Sequence, residues 1–497
     1  MLEWFKLKKE DAKVMKWLIC GSLLYVLPLI ISNVYFNDDV ARSIYGYYGW
    51  EFNGRPLTTL LMKVIGGGRA TSIVDGSPSY LILGLIVLSY SFVLFARKHL
   101  SAFSTLSKTI IMLFALLSPF LLENLSFKYD VLSMLLALSL IFLIYSFDHH
   151  MTRILQMIVG ALIVCAVFSL YQAVICAFII LAIFECIEGL LKNKKLKNIF
   201  AKVLERILTL GIGALLYEII INFVIKLDAY SRDHSGLVSF NKQGFAQFIN
   251  NAKDYKTLVK SLFPYYTYVF IAVGIVCLCA FVMVIYKKVI MNDITFSRKI
   301  INIIGVILCV ILMIPVGFLP VVALKYPVVC ARTLIGMTAM AMMVGMALCY
   351  LGRFHKWLHI ITVYMLIFSF TFSASYANTL RAQKDYEGEI AQMVAYDLSS
   401  LSSSKKISSI AVTGNAPESK QYQRMNKQCP LISRVILIYL NNSWIAQRYI
   451  MHYYQENATR AYVTKDDLAY MKHARLDVDN GRYSISIHNQ KAIITFK

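Results

Sequence analysis

The residues best suited to chemistry lie early in this 497-residue chain. Two adjacent carboxylates, Asp38 and Asp39, follow the first apolar run directly, and Arg42 comes three residues later. One carboxylate of such a pair can act as a general base while its neighbour binds substrate hydroxyls or a cation. Like charges at a membrane surface repel each other and anionic lipid, which argues against the pair as mere filler. The alternative is a solvated loop edge or an interfacial cap.

The same segment continues with aromatic and polar residues. Trp50 and Glu51 are followed by Gly54-Arg55-Pro56. Glu51 could assist the base, and Arg42 and Arg55 can bind a phosphate through paired N–H donors. The alternatives are interfacial arginines that snorkel to the membrane surface, and an aromatic belt that includes Trp50 instead of a ring that stacks on a sugar.

Three later positions could add to a binding site. Lys128 and Asp130 precede an apolar run, where N-capping by Asp130 is the alternative role. Tyr171 and Gln172 join two apolar runs and could serve only to close the turn. Arg332 stands at the predicted start of a helix, and a helix N-terminus next to an arginine suits an anion such as phosphate.

Composition places these residues in a membrane protein. Hydrophobic residues make up 58% of the chain, mean hydropathy is +0.60, and only 16% of residues are charged. Soluble proteins carry about a quarter charged residues. The net charge of +22 is concentrated in short clusters between apolar runs, as in 192–206, which is typical of cytoplasmic loops and contact with anionic lipid. Nucleic acid is therefore not an expected partner.

Apolar runs of membrane-spanning length predict about eleven transmembrane helices, and hence a mainly α, polytopic membrane protein. The runs are Trp17–Tyr35, Tyr80–Ala96, Thr109–Leu122, Val131–Phe147, Ile154–Leu170, Ala173–Leu190, Ile207–Ile225, Tyr265–Tyr286, Ile300–Gly317, Leu334–Leu351 and Trp357–Tyr376. The first follows five lysines and reads as an uncleaved signal anchor. Lys and Arg cluster in alternate short connections, which predicts a cytoplasmic N-terminus and a C-terminus outside.

Three segments on the outer side are long, namely Phe36–Ser79, Leu227–Pro264 and Ala377–Lys497. We predict a transmembrane domain over 1–376 and a small α+β periplasmic domain over 377–497. Within the latter, Arg381–Ser400 and Leu431–Tyr454 are expected to be helical. Ile407–Thr413 is expected to be a strand, and Tyr483–His488 and Ala492–Phe496 a hairpin that turns at Asn489-Gln490.

Other common sites are not indicated. Gly66-Gly67-Gly68 lacks the strand-to-helix context of a phosphate-binding loop and is read as a bend. Glu218 lies within an apolar run, where it is either functional or paired to a neighbouring helix. The chain has no Walker A, HExxH or GxSxG motif, and its histidines and cysteines have no metal-ligand spacing. No cofactor is expected to be required, although Asp38 and Asp39 could hold a divalent cation.

The run Asn37-Asp38-Asp39 with Arg42, followed by Trp50-Glu51 and Gly54-Arg55-Pro56-Leu57, resembles the type II Gtr family of bacterial O-antigen glucosyl transferases. The resemblance covers most of residues 1–376, with Tyr129-Asp130 and Ala331-Arg332-Thr333 as supporting matches, and is weak over the tail. It implies a fold of the GT-C type, serotype conversion by modification of lipopolysaccharide, and an undecaprenyl-phosphate-linked sugar as donor. It also implies a base in the first outer loop, at Asp38 or Asp39.

Physical reasoning leads to a compatible expectation. Nucleotide sugars are absent outside the inner membrane, so a sugar transferred there arrives on lipid. Single displacement by a base, with a phosphate leaving group, needs one carboxylate and one or two arginines, and it inverts the anomeric carbon. We therefore expect a multi-pass inner-membrane glycosyltransferase, with Arg42, Arg55 and Arg332 on the donor phosphate and O-antigen as acceptor. A lipid-linked sugar transporter or flippase, or an O-antigen polymerase or ligase, remains the alternative.

Overall fold

The computed structural model describes residues 5–68, 71–147, 152–225, 227–261, 267–454, 457–473 and 476–497. The chain divides into two compact units. The first unit comprises Met1–Leu27, Tyr48–Ala70 and Gly76–Ser373, and the second comprises Pro28–Tyr47, Thr71–Asp75 and Ala374–Lys497. The predicted outer segment Phe36–Ser79 is therefore shared between the two units.

The first unit is helical. Its helices, two of which continue into the second unit, are Lys9–Ser32, Pro56–Ile65, Ser79–His99, Thr105–Leu116, Leu122–Ser126, Val131–Ser146, Arg153–Leu170, Ile175–Leu191, Leu196–Phe223, Ala229–Ser235, Lys242–Lys260, Thr267–Ile285, Phe296–Val322, Thr338–Gly352 and Leu358–Ser402. Short 3-10 helices lie at Trp50–Asn53, Pro119–Leu121, Gln172–Val174 and Ala331–Met337, and a π-helical turn lies at Tyr286–Ile290.

Each predicted apolar run overlaps a helix, but the predicted number of spans is not reproduced. Within the described residues, eight helices are long and apolar enough to cross a membrane, or nine if one bent pair is a single span. Val131–Ser146 is apolar but has only 16 residues. The start of the predicted run at Tyr265, like the predicted segment end at Pro264, lies outside the described residues. These helices are consistent with the predicted multi-pass membrane protein, and the count of eleven stays a prediction.

A glycine at a helix contact and a bend at a proline affect how the helices of this unit pack. An added Cβ on Gly213 would lie 2.6 Å from the Val164 side chain, so glycine allows Leu196–Phe223 to approach Arg153–Leu170 closely. The apolar run predicted over Thr109–Leu122 is bent by 45° where Pro119 begins a new turn, because proline cannot donate the helical hydrogen bond.

The second unit is a small α+β fold. Its helices are Asp38–Tyr45, Lys420–Gln428, Ile432–Val435, Trp444–Tyr453 and Lys465–His473, together with the second half of Leu358–Ser402. The described strands are β1 (Ser409–Thr413), β2 (Thr459–Arg460), β3 (Val478–Asp479), β4 (Tyr483–His488) and β5 (Lys491–Phe496). They form one sheet in the order β2-β1-β5-β4-β3, in which β1 is parallel to β2 and β5 while β4 is antiparallel to β3 and β5.

The core of this unit lies where the long helix packs on the sheet. Ile390, Val394 and Leu398 recur at helical spacing and are buried with Ile410 and Ile494 of the strands. The predicted helix over Arg381–Ser400, the strand that ends at Thr413 and the C-terminal hairpin are all confirmed. The hairpin turns through Asn489 and Gln490, both at positive φ, the geometry that two-residue hairpin turns require.

The single helix predicted over Leu431–Tyr454 is wrong. The segment contains two helices, Ile432–Val435 and Trp444–Tyr453, separated by non-helical backbone. The buried Glu387 carboxylate accepts hydrogen bonds from the backbone N–H groups of Tyr439 (2.5 Å) and Leu440 (2.9 Å), so these groups are satisfied without a helix. Glu387 also pairs with the buried Lys384 ammonium at 2.8 Å.

We predict that Glu387→Ala destabilises the second unit by about 3–5 kcal/mol, because it leaves the Lys384 ammonium and two backbone N–H groups buried without an acceptor. Brief proteolysis of the full-length protein in detergent, at increasing urea concentration, measures this as earlier cleavage within residues 403–497. Glu389→Ala, an exposed carboxylate on the same helix, is the matched control. Equal cleavage of both variants would contradict the role of Glu387.

Candidate active site

The segment Gly49–Pro56 in the first unit forms a compact turn. Trp50–Asn53 is a 3-10 helix between Gly49 (φ 79°) and Gly54 (φ 72°), two positions at positive φ that favour glycine. At Gly54 the lack of a side chain is also a steric need, because an added Cβ would lie 2.6 Å from the Tyr217 hydroxyl oxygen. Pro56 then begins the helix Pro56–Ile65, where its missing N–H is not needed.

Two side chains hold this turn in place. The Gly54 carbonyl accepts hydrogen bonds from Gln172 Nε2 (2.8 Å) and from the Tyr217 hydroxyl (2.9 Å). Gln172 Nε2 also donates to the Tyr217 oxygen at 3.0 Å. Because Gly54 immediately precedes Arg55, these bonds fix the backbone from which the Arg55 side chain extends.

Arg55 extends to Asp130 and Tyr171. Its NH1 donates to Asp130 Oδ1 at 3.1 Å, and the indole Nε1 of Trp50 donates to the same oxygen at 2.8 Å. The guanidinium carbon lies 4.8 Å from the centre of the Tyr171 ring, in cation–π contact. Four residues singled out in the sequence thus form one connected group, although Trp50 and Tyr171 lie 121 positions apart in the chain.

Asp130 is not used as a helix cap. It stands at the N-cap position of Val131–Ser146, but its side chain makes no capping hydrogen bond. Its backbone carbonyl accepts from Met134 N and Ser133 Oγ, while its carboxylate is directed to Arg55 and Trp50. The structure therefore does not show the capping alternative, and the role of Asp130 as a site residue stays a prediction. Lys128, two residues earlier, is 8% exposed.

Arg332 belongs to the same group of residues. Its backbone carbonyl accepts from the Tyr171 hydroxyl (3.1 Å) and Asn124 Nδ2 (3.2 Å), and its backbone N–H donates to Glu123 Oε2 at 2.8 Å. The Arg332 Nε lies 3.9 Å from Glu123 Oε1. The anion at the start of this helix is thus the chain's own Glu123 carboxylate, whose charge also faces the guanidinium.

We refer to Trp50, Arg55, Glu123, Asn124, Asp130, Tyr171 and Arg332 as the arginine cluster. Its two carboxylates are almost fully buried, with 5% of the Asp130 side chain and 4% of the Glu123 side chain exposed. The two guanidinium groups are the accessible partners, at 23% for Arg55 and 22% for Arg332. A ligand that approaches the cluster therefore meets positive groups, each held in orientation by a buried anion.

The arginine cluster also retains hydrogen-bonding capacity. Arg55 Nε, Asp130 Oδ2 and Asn124 Oδ1 are buried and have no hydrogen-bond partner among the described residues. Buried polar atoms in folded proteins are nearly always satisfied by protein or by ordered water, so these three atoms can accept a partner from outside the chain, either water or a ligand. One donor beside two acceptors suits a ligand that carries both hydroxyl groups and an anion.

Glu51, a predicted assistant to the base, also lies in the first unit. Its carboxylate accepts a short hydrogen bond from the Thr59 hydroxyl, and its backbone N–H donates to the Thr59 oxygen at 3.1 Å. This reciprocal pair ties the Trp50–Asn53 turn to the helix Pro56–Ile65. Glu51 remains partly exposed, so its carboxylate is accessible as well as bonded.

Asp38, Asp39 and Arg42 belong to the second unit, on the helix Asp38–Tyr45. Asp39 is fully buried, and its Oδ2 accepts the Phe36 N–H at 3.3 Å, which ties it to the backbone just before this helix. Asp38 is partly exposed, and within the described residues its carboxylate has no hydrogen bond or ion pair. The Arg42 guanidinium lies 5.2 Å from the centre of the Tyr47 ring.

Tyr439 anchors the start of this helix. Its hydroxyl accepts the Asn37 N–H at 2.8 Å and donates to the Tyr35 carbonyl at 2.9 Å. Burial raises the pKa of Tyr439 well above its ordinary value, so the hydroxyl stays protonated and can keep both roles at neutral pH. The conformation of the two aspartates thus depends on a residue 400 positions later in the chain.

Sequence reasoning missed three residues that complete the arginine cluster and its support: Glu123, Asn124 and Tyr217. Glu123 and Asn124 follow an apolar run directly, and an acid next to an amide at that position is a signal that could have been used. Glu218 is exposed and accepts a 3.3 Å hydrogen bond from Asn222 of its own helix. The alternative that Glu218 pairs to a neighbouring helix is not seen within the part of the chain that the structure describes.

No group of three or more histidine, cysteine or acidic side chains that could hold a metal ion occurs among the described residues. The open bend predicted at Gly66–Gly68 is present, with Gly67 and Gly68 at positive φ and free space around both.

Comparison with known proteins covers most of the chain. Residues 27–348 match the family described as "Glucosyl transferase GtrII". This chain belongs to the GtrII family. It is 26% identical over 482 residues, 96% of each chain, to a Salmonella phage P22 protein named "Uncharacterized 55.3 kDa protein in gtrB 5'region". No solved structure matches it.

Membership in the GtrII family confirms the resemblance found in the sequence and identifies the chain as a glucosyl transferase. All the residues singled out as site candidates, from Asp38 to Arg332, lie within the matched range. Most of the second unit, from 374 onward, lies beyond it.

We predict that Arg55→Lys lowers glucosyl transfer by this GtrII protein roughly 10²-fold, as loss of one oriented donor at a charge-binding site does. A lysine can pair with Asp130, but it has no planar group to lie over Tyr171 while it donates. Transfer rates of purified, equally folded proteins measure this.

Arg353→Lys is the matched control, because Arg353 also lies over an aromatic ring, that of Phe103 (4.3 Å), and donates to one carbonyl (2.7 Å). Equal activity of wild type and Arg55→Lys, or an equal loss in both variants, would contradict the role of Arg55.

Proposed function

We propose that this protein transfers a glucosyl group from undecaprenyl-phosphate-linked glucose to O-antigen polysaccharide on the periplasmic face of the bacterial inner membrane. The observation that carries the proposal is the arginine cluster of this glucosyl transferase, in which two accessible guanidinium groups each lie next to a buried carboxylate. Such a cluster suits a phosphate carried by a lipid.

The donor is inferred from the compartment. The clusters of Lys and Arg between apolar helices favour a cytoplasmic N-terminus, which with the predicted eleven spans puts the second unit outside. Nucleotide sugars are not available there, so the activated sugar comes on a lipid phosphate. The segments assigned to the cytoplasm are also too short to hold a nucleotide-binding domain.

The reaction is a single displacement with inversion. A carboxylate takes the proton from an acceptor hydroxyl, the resulting oxygen bonds to the anomeric carbon, and the bond from that carbon to the phosphate oxygen breaks. The electron pair leaves with the lipid phosphate, whose developing charge Arg55 and Arg332 stabilise, with Arg42 as a further candidate. The leaving phosphate is a weak base and needs no proton donor, so a second catalytic acid is not required.

The base is assigned among Asp38, Asp39 and Glu51. Asp38 is the strongest candidate, because Asp39 is buried and bonded to Phe36 N–H while Glu51 is bonded to Thr59. Trp50 and Tyr171 supply ring faces, and Lys128, Asp130 and Gln172 supply polar groups, for the sugar and its phosphate. No metal or other cofactor is part of this scheme.

The direct test is transfer by the purified protein in liposomes, with undecaprenyl-phosphate-[14C]glucose as donor and O-antigen from cells that lack the protein as acceptor. We expect labelled polysaccharide with this donor and none with UDP-glucose. We expect Asp38→Asn to lower turnover about 10²- to 10⁴-fold, the usual contribution of a general base, with little change in donor KM.

Asp233→Asn, an exposed aspartate of the first unit, is the matched control and should keep wild-type activity. Asp39→Asn, made separately, tests the second candidate. Full activity of both Asp38→Asn and Asp39→Asn at normal protein levels would refute the assignment of the base to this pair. Rapid movement of the lipid-linked sugar across the bilayer without transfer would instead support the flippase alternative.

A further inference from the structure

A cavity of about 360 Å³ lies within the second unit, and the reaction described above gives it no role. One wall is the long helix, which contributes Asp385, Glu389 and Gln392. Another is formed by the tyrosines 439, 449 and 453. We call it the tyrosine cavity. Its size suits one or two sugar rings.

The polar wall is one face of a helix. Asp385, Glu389 and Gln392 are spaced four and three residues apart, so their side chains project from the same side of Leu358–Ser402. All three are exposed, and Asp385 lies 3.5 Å from Arg381 of its own helix. This face thus presents carboxylate and amide groups that can accept and donate hydrogen bonds to hydroxyls.

The aromatic wall is packed against a glycine of the same helix. An added Cβ on Gly388 would lie 3.0 Å from the Tyr453 hydroxyl oxygen and 3.5 Å from that of Tyr449. The Tyr449 ring makes edge contacts with Tyr439 (5.2 Å) and Tyr453 (5.6 Å), and its hydroxyl donates to the Lys384 carbonyl. The tyrosines are therefore fixed in orientation, and Gly388 provides the space for them.

The ionic lining of the cavity disfavours a phosphate ligand, because two exposed carboxylates line it and, among the described residues, His452 is the one exposed lining side chain that could carry a positive charge. The accessible ionic groups of the long helix that line it are the carboxylates of Asp385 and Glu389. The Lys384 ammonium is buried, pairs with Glu387 and lies 3.0 Å from the centre of the Tyr439 ring, so its charge is already used. A lipid phosphate would be repelled, whereas a neutral ligand rich in hydroxyls would find acceptors next to aromatic rings.

The tyrosine cavity is connected to the candidate base. Val40 and Ser43, which line it, lie on the helix Asp38–Tyr45 that carries Asp38 and Asp39. Tyr439, on the aromatic wall, also fixes the start of that helix through Asn37 and Tyr35. A ligand in the cavity is thus held by the same unit as the carboxylates that would deprotonate it.

We propose that the tyrosine cavity binds a neutral, hydroxyl-rich saccharide segment of the acceptor polysaccharide. The inference rests on the proposed function and adds to it the site that selects the acceptor.

The test measures acceptor binding separately from transfer. The probe is O-antigen polysaccharide released from its lipid, prepared from cells without this protein and labelled with a fluorophore at its reducing end. Binding to the full-length protein in detergent is followed by fluorescence anisotropy without any donor. We expect the Glu389→Gln/Gln392→Ala double variant to raise the Kd about tenfold or more, which is about 1.4 kcal/mol of lost hydrogen bonding.

Gly388→Val tests the cavity by filling it, with the same expected loss of binding. Tyr396→Ala is the matched control, because Tyr396 lies on the same helix, is 77% exposed and does not line the cavity. Both replaced residues of the double variant are exposed, so that variant keeps the proposal testable if Gly388→Val does not fold.

In the transfer assay the double variant should raise the KM for acceptor and leave the KM for donor unchanged. The inference is overturned if wild type does not bind the polysaccharide, if the double variant binds it as tightly as wild type, if inorganic phosphate displaces it, or if donor KM rises instead. Binding that the variants abolish, in a protein that transfers no glucose, would refute the proposed function and leave the cavity assignment intact. If the protein transfers glucose but the variants do not change acceptor binding, the cavity assignment is refuted and the proposed function stands.

Discussion

The arginine cluster depends on one buried carboxylate that needs partners. The Asp130 side chain is only 5% exposed in a unit made of apolar helices. A buried carboxylate is costly unless a cation and hydrogen-bond donors compensate it. Arg55 and Trp50, from a turn that contains two glycines, donate hydrogen bonds to this carboxylate. Gln172 and Tyr217 fix the turn through hydrogen bonds to the Gly54 carbonyl. The same ion pair fixes the guanidinium in one orientation. Glu123 and Arg332 repeat the arrangement with weaker contact.

The two units divide the proposed chemistry. The first unit carries the guanidinium groups suited to a phosphate, and the second carries Asp38, Asp39 and the tyrosine cavity. Charge follows this division, because the accessible groups of the arginine cluster are positive and those of the long helix at the tyrosine cavity are negative. The donor carries an anionic phosphate, which suits the positive groups, and the acceptor is neutral, which suits the negative ones. This match of charge is the physical basis of the proposed roles.

Much of this arrangement could be predicted from the sequence, because local patterns determine it. Each apolar run of the sequence overlaps a helix, and the strand alternation before Asn489-Gln490 predicted the hairpin. Trp50, Arg55, Asp130, Tyr171 and Arg332 were selected for their chemistry, and the structure brings them together. What local patterns do not contain is the partner of each group. The break in Leu431–Tyr454 depends on Glu387 of another helix, and the backbone just before Asp38 is bonded to Tyr439, some 400 residues away.

The proposed transfer requires the candidate base and the second unit to face the compartment where sugars arrive on lipid. Fusions of alkaline phosphatase, which is active only outside the cytoplasm, and of a fluorescent protein that folds only inside, test it at three positions. Gly67, in the open bend after the first site segment, and Lys497 should give active phosphatase and no fluorescence. Asn193, among the basic residues that follow Ile175–Leu191, should give the opposite. Fluorescence at Gly67 and Lys497 with inactive phosphatase would contradict the account, since a periplasmic transfer from a lipid-linked donor would then be impossible.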